Sequence, residues 1–388
     1  MLVSEDLAHL TRRQLQVAVL VAEGLTDREV AERLSITRRT AEWHVEQILA
    51  RLSLKSRSQI ASRVSQAEAL GAPLLAVDRP RRNAPPRMTA VLGFNPSVSE
   101  TELLATTRSL EAAPNESDAQ RRERLISLAE SGYNPVIATG ATYASALGHV
   151  AKQFPNTSFA IVDDLSLSAD NLNVTSIVFA DHQGSYLVGA IAAQASRNGI
   201  VGFIGGVDLA GIRKFQAGYE AGAKAVRPDI KVHSEFLTEP PDFSGFADAA
   251  KGMRAAGRMY QRGADVVYHA AGGSGTGVFH AAKDAGAFAI GVDSDQYMTA
   301  PVDVRSHVLT SMLKQVDDAV RKYLKAYARR SHLPRVMTFD LANGGVGYSK
   351  SNPKVIPYVA TTDNLLRQIV DGKIRVPDRA VLPGASHS

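Results

Sequence analysis

Apolar residues recur at helical spacing through the first seventy positions and then give way to short apolar blocks separated by helical stretches. Leu15, Ala18, Val19 and Ala22 form one stripe that stops at Gly24, and Val30, Ala31 and Leu34 form a second. Ala41, Val45, Ile48 and Leu52 form a third, at i, i+4, i+7 and i+11. Thr11–Gln14, Thr26–Glu29 and Ser56–Gln59 each match the S/T-x-x-E/Q capping box, in which a hydroxyl and a carboxylate or amide satisfy each other's free N–H groups, so three helix starts are predicted. The expectation for residues 1–70 is four short helices. The tight Ser35-Ile36-Thr37 connection makes the middle pair a helix-turn-helix, a motif whose second helix enters the major groove of DNA.

From Met88 onward the pattern predicts strands over 89–94, 135–139, 159–162, 175–179, 200–204, 231–236, 266–270 and 288–292. Helices are predicted over 100–111, 120–131, 184–197, 211–226, 246–261 and, as one long amphipathic element, 312–329. So many alternating strands exceed one comfortable open sheet. Two doubly wound lobes with a cleft at the carboxyl ends of their strands are the expected solution.

Composition adds exclusions. No apolar run reaches the ~18 to 20 residues of a membrane span, and the start lacks the pattern of a secretion signal. A cytoplasmic location without membrane partners is the expectation. Cysteine is absent, which removes disulfides, thiolate metal sites and cysteine nucleophiles. The net charge of +5 is unevenly placed: residues 71–88 carry Arg79, Arg81, Arg82 and Arg87 against Asp78 alone, with Pro73, Pro80, Pro85 and Pro86 among them. That stretch reads as an extended linker, either a plain tether or an arm adding phosphate contacts. It divides the chain into domains of residues 1–70 and 89–388.

In the first domain Leu10-Thr11, Arg13, Gly24-Leu25-Thr26, Glu29-Val30-Ala31, Leu34-Ser35-Ile36, Thr40-Ala41, His44, Ile48 and Arg57 resemble the LuxR-type DNA-binding family. The resemblance implies an all-α four-helix domain that binds a double-stranded DNA operator, with the fourth helix making a homodimer. Arg39, Trp43, Glu46 and Ala50 lie opposite the apolar stripe, with Glu42 beside them. Arg38, Arg39 and Lys55 are available to phosphate, and Thr26, Thr40 and His44 complete the candidate DNA-binding set. Glu42 and Glu46 depart from the family, which places basic residues there. They oppose phosphate, and a Glu can instead accept from cytosine N4.

In the second domain the carrying motifs are Asn156 to Asp163, Gly199 to Gly206, Gly263 to Phe279, Ile290 to Gln296 and Leu309 to Asp317. They resemble the basic membrane protein (Bmp) family, purine-nucleoside-binding proteins with an α/β two-lobed type I periplasmic-binding-protein fold. The resemblance assigns Asp293 to the ribose, Lys314 to a hydroxyl, Asp163 to the base edge and Phe243 or Phe246 to stacking, with Gly272 and Gly273 allowing close backbone approach. The chain departs after its first strand, where Gly93-Phe94-Asn95-Pro96-Ser97 lacks the family's acidic loop; Phe94 and Asn95 are the candidate substitutes. A purine-nucleoside-like ligand, another small molecule and no ligand therefore stay open. The fusion itself resembles the Med-type regulators of secondary metabolism.

Nothing else carries chemistry. Gly273-Ser-Gly275-Thr-Gly277 lacks the following Lys-Ser/Thr of a phosphate loop, and no H-E-x-x-H or G-x-S-x-G motif occurs. No catalytic residue, metal or cofactor is expected, and the chain reads as a regulator rather than an enzyme. The contrasting readings are a solute-binding protein for transport and a ligand-free dimerisation scaffold.

Overall fold

The computed structural model describes residues 10–22, 24–34, 36–69, 89–93, 107–111, 116–167, 173–329 and 333–379. The linker at 71–88 and Phe94 and Asn95 lie outside them.

Four helices form the N-terminal unit: α1 (Arg12–Ala22), α2 (Asp27–Leu34), α3 (Arg38–Arg51) and α4 (Arg57–Ala69). Two predicted capping boxes close. Thr11 N–H donates to Gln14 Oε1 (3.0 Å) and Gln14 N–H to Thr11 Oγ1 (3.2 Å). Thr26 N–H donates to Glu29 Oε2 (2.8 Å), and Glu29 N–H donates in return to Thr26 Oγ1 (3.4 Å). The third does not form, because Gln59 reaches one residue further back and accepts from Lys55 N–H (2.6 Å), leaving the Ser56 hydroxyl against Ser58. An unpredicted cap starts α3, where Thr40 N–H donates to Thr37 Oγ1 (3.1 Å). Gly24 ends α1 with φ 86°, a left-handed position that a side chain would strain. Leu10, Val17, Ala18, Val30, Ala41, Ile48, Ile60 and Val64 close the core. Arg57 ties α4 to the start of α2 through the Asp27 carboxylate and the Leu25 carbonyl.

The remaining elements build two sheets. The first contains β1 (Thr89–Gly93), β2 (Thr107–Glu111), β3 (Val136–Thr139), β4 (Phe159–Val162) and β5 (Val174–Phe179), with α5 (Asp118–Glu130) and α6 (Ala144–Gln153) between strands. The second contains β6 (Ile200–Val207), β7 (Lys231–Thr238), β8 (Val266–Ala270), β9 (Phe288–Asp293) and β10 (Val308–Lys314). Its helices are α7 (Asp181–Ala195), α8 (Ala210–Val226), α9 (Ala249–Gln261), α10 (Gly275–Asp284), α11 (Gln296–Thr299) and α12 (Val302–Arg305). The chain then adds α13 (Val316–Ala328), β11 (Val336–Phe339), β12 (Val346–Tyr348) and α14 (Ile356–Val370).

The strand orders are β2-β1-β3-β4-β5-β11 and β7-β6-β8-β9-β10-β12, parallel throughout except for β12. Each is a doubly wound sheet whose order reverses beside its first strand, so a ligand crevice belongs at the carboxyl ends. The backbone passes between lobes three times, after β5, after β10 and between β11 and β12. These crossings hold one another: Ala180 N–H donates to the Phe339 carbonyl and Gln315 N–H to the Gly345 carbonyl, both at 2.8 Å. α13 anchors the first lobe through Tyr323 Oη and the Phe159 carbonyl (3.3 Å). α7 packs backbone to backbone on α8, where a Cβ on Gly218 would lie 2.0 Å from the His182 carbonyl oxygen.

Several predicted elements are corrected. The long helix over 312–329 is strand β10 followed by α13, because Val308 to Lys314 is buried on both faces between β9 and β12 and so lacks a polar face to show period. Within the predicted 100–111 helix, 107–111 is an edge strand paired with β1 from Thr89↔Thr107 to Gly93↔Glu111, so main-chain pairing overrides local propensity; 100–106 lie outside the described residues. α9 begins at Ala249, capped by Asp248, which accepts from Lys251 N–H (2.9 Å), and leaves Phe246 in the preceding turn.

Candidate ligand cleft and DNA-binding face

Lys314 closes β10 at the second lobe-to-lobe crossing. Its ammonium donates to the Asp163 carboxylate, with both oxygens at 2.7–2.8 Å, and lies 3.3 Å from Asp181 Oδ1. The Lys314 side chain is only 5% exposed and its Nζ stands 5.0 Å from the Phe179 ring centroid and 5.7 Å from that of Phe215. Burial opposes its charge, but Asp163, Asp181 and Asp293 outweigh burial and raise its pKa. Burial raises the carboxyl of Asp181 above the usual range; Lys314 opposes this, while Asp163 and Asp293 add to it. Asp293 meets solvent along the cleft, yet the enclosing walls still raise its pKa against the pull of Lys314.

Asp163 follows β4 and Asp293 ends β9, and both carry a left-handed φ (68° and 65°). Such a backbone costs a side-chain-bearing residue about 1 to 2 kcal/mol, so the surroundings must impose it. Asp163 N–H is held by the Ile177 carbonyl (2.9 Å). Beside Asp293, Val292 N–H donates to Gln296 Oε1 (2.8 Å), and Gln296 N–H donates to Ser311 Oγ (3.0 Å).

On the same edge of the second sheet, Phe243 and Phe246 are half-buried around a short turn. The Phe246 ring covers Gly206, where a Cβ would approach it to 2.4 Å. Gly272 has φ 52°, and a Cβ there would sit 3.0 Å from the Phe246 carbonyl oxygen; at Gly273 the distance would be 3.3 Å. The close approach at these glycines is thus made by the chain's own turn. Ser274 locks it, donating to the Gly245 carbonyl (2.7 Å) and accepting from Asp248 N–H (2.8 Å).

Lys314 is thus paired with Asp163, and Asp293 stands within electrostatic reach of both. Asp181 is the member that sequence reasoning missed; its available signal was an acidic residue heading a helix directly after a buried strand. Among the described residues no cluster suited to a metal ion occurs, and no helix is long and apolar enough to cross a membrane.

On α3, Arg39, Trp43 and Glu46 are exposed, Trp43 by 47%, and Glu42 is half-buried. Arg38 Nε donates to Glu42 Oε1 (2.8 Å). Lys55 is exposed and Thr40 half-buried, while exposed Thr26 is occupied by its capping box. His44 is a correction: it is 3% exposed and lines the helical core, so it is not available to DNA. Burial, with Arg13 adding to it, lowers its pKa to about 4.

The fold and the cleft define a two-lobed, hinge-centred binding domain joined to a helix-turn-helix unit. Residues 97–380 match the family described as ABC transporter substrate-binding protein PnrA-like (Bmp), and the chain belongs to that family. Residues 8–64 match the bacterial regulatory proteins of the luxR family, a DNA-binding module. Neither is an enzyme family. The CD4+ T-cell-stimulating antigen of Listeria monocytogenes is 36% identical over 278 residues, covering 68% of this chain and 75% of the relative. The ABC transporter nucleoside-binding protein BmpA of Lactococcus lactis subsp. cremoris is 37% identical over 267 residues, covering 64% and 73%. A solute-binding protein of Aeropyrum pernix K1 shares the fold, with a TM-score of 0.63 at 22% identity over 75% of this chain and 94% of the other. So does a transcriptional activator of the comK gene from Bacillus halodurans, with a TM-score of 0.60 at 20% identity over 75% and 99%.

Proposed function

We propose that this protein is a cytoplasmic transcriptional regulator, not an enzyme, with genes of secondary metabolism as its targets. Residues 1–70 bind an operator as a homodimer, 71–88 tether them, and 89–388 sense a small, nucleoside-like molecule. The observation that carries this reading is the union in one chain of a LuxR-type module, whose α3 outer face is open, with a Bmp cleft whose polar groups meet at the hinge. A relative bearing the name nucleoside-binding protein supports the ligand class. A ligand that seizes Lys314 competes with Asp163 of the opposite lobe, and so favours one lobe arrangement over another.

The test is a mobility-shift titration on duplexes selected by the full chain, with and without a panel of purine nucleosides. Typical coupling of about 1 to 3 kcal/mol predicts a roughly five- to 150-fold change in DNA affinity. Cell fractionation checks the location, and recovery outside the cytoplasm would count against it. A ligand-free scaffold is the second reading, favoured by the Lys314–Asp163 pair, which satisfies the cleft's ammonium from within. Equal DNA affinity with every nucleoside would select it.

A further inference from the structure

Arg39, Trp43 and Glu46 stand at i, i+4 and i+7 on the outer stripe of α3, all exposed. Four neighbouring arginines are engaged within the domain. Arg38 donates to Glu42 (2.8 Å), Arg51 to Gln14 (3.2 Å), Arg13 to the Leu34 carbonyl (2.8 Å) and Arg57 to Asp27. Among the described residues no ion pair holds Arg39 or Glu46. The stripe is thus poor in loose cations for phosphate. It is rich in groups that tell base edges apart: a planar donor fork, an apolar ring and a carboxylate that can only accept.

Resting on the DNA-binding reading above, we propose that this stripe reads a guanine, a thymine and a cytosine in that order along the major groove. Arg39 donates to guanine O6 and N7, Trp43 covers the thymine methyl, and Glu46 accepts from cytosine N4. Seven residues of helix rise about 10.5 Å, close to three base-pair steps of about 3.4 Å. The choice of cytosine follows from charge. Guanine shows a carboxylate two acceptors, thymine shows O4, and adenine sets its N7 lone pair beside its amino group. Cytosine alone offers a donor with no acceptor next to it. Away from cytosine, Glu46 meets only phosphate repulsion, so it acts by excluding wrong sites as much as by holding the right one.

The experiment is selection of bound duplexes from a randomised pool by the full chain at low salt, repeated with Glu46→Gln and Glu46→Ala. The wild-type chain should enrich a four-pair core that carries guanine at its first pair and cytosine at its fourth. Glu46→Gln should move the third preference from cytosine to adenine, because an amide pairs with adenine N6 and N7, and Glu46→Ala should weaken discrimination there by about fivefold or more. Replacing the selected thymine with uracil should weaken binding by the wild type and leave Trp43→Ala indifferent. Both positions are solvent-facing, so circular dichroism should show unaltered folding. A selected motif that neither Glu46 variant changes overturns this assignment while leaving DNA binding intact. No enrichment by the wild-type chain removes both.

Discussion

Asp163 and Asp293 occupy corresponding places in the two lobes. Each stands at the carboxyl end of the strand flanked by the third and fifth of its sheet, each with φ near 65°. Only Asp163 holds Lys314 by a direct bond. The lobes thus repeat a backbone device while dividing its labour: one carboxylate bridges the lobes and the other faces the cleft.

The bridge should be costly to break. Lys314→Met leaves the buried Asp181 carboxylate beside Asp163 and Asp293 with no cation, and breaking a buried pair from one side typically costs about 3–5 kcal/mol. Chemical denaturation should show that loss, and Asp181→Asn added to it should recover part. A double variant no more stable than Lys314→Met would contradict the cluster described here.

Asp293→Asn keeps a residue that tolerates the left-handed backbone and removes the charge. The nucleoside-dependent change in operator binding should vanish while ligand-free DNA binding persists, as read by mobility shift. Gly272→Ala instead adds a Cβ at φ 52° close to the Phe246 carbonyl, and should lower stability by about 1 to 2 kcal/mol.

Acid should weaken the fold in a defined window. Burial lowers the imidazoles of His44 and His269 to about 4, against about 6.5 when exposed. Between those values the unfolded chain binds more protons than the folded one. The stabilisation is therefore present above about 6.5 and is lost as pH falls towards 4, by up to ~3 kcal/mol per histidine. The raised carboxyls of Asp181 and Asp293 titrate in the opposite sense, so the check is a comparison: from pH 7.5 to 4.5 a His44→Gln variant should lose less stability than the wild type, and an equal loss would contradict the burial of that ring.

Much of this was legible in the sequence, and the exceptions share a cause. The stripes of α1 to α3 carry one apolar and one polar face, so their period shows. Leu309-Thr310-Ser311-Met312 is buried on both sides and shows none, which is why the end of β10, from Met312 to Lys314, reads as part of the following helix. Thr107 to Glu111 is a strand only because β1 offers its edge. His44 looked surface-bound because the family motif names it without saying which way it points. Asp181 gained its part from the return of β10 to the hinge, 133 residues later, a juxtaposition no local window contains.

The Arg38–Glu42 pair sharpens one expectation about DNA. Glu42→Lys should add a cation and also release Arg38, so the salt dependence of non-specific binding should steepen by about two counterions rather than one. A salt series of binding isotherms measures the slope directly.

Trp43 is the only tryptophan in 388 residues and lies on the face assigned to the groove. Its fluorescence should shift or quench when a duplex binds, and titration of that signal should track mobility shift point for point. Emission indifferent to bound DNA would place the contact on another face.

Lys314 pairs with Asp163 across the lobes and is the residue next to Gln315, whose N–H is tied to the third crossing at Gly345. The residue that would grip a guest is thus adjacent to the crossings that join the lobes. A protein with that arrangement needs no separate lever to convert occupancy into movement.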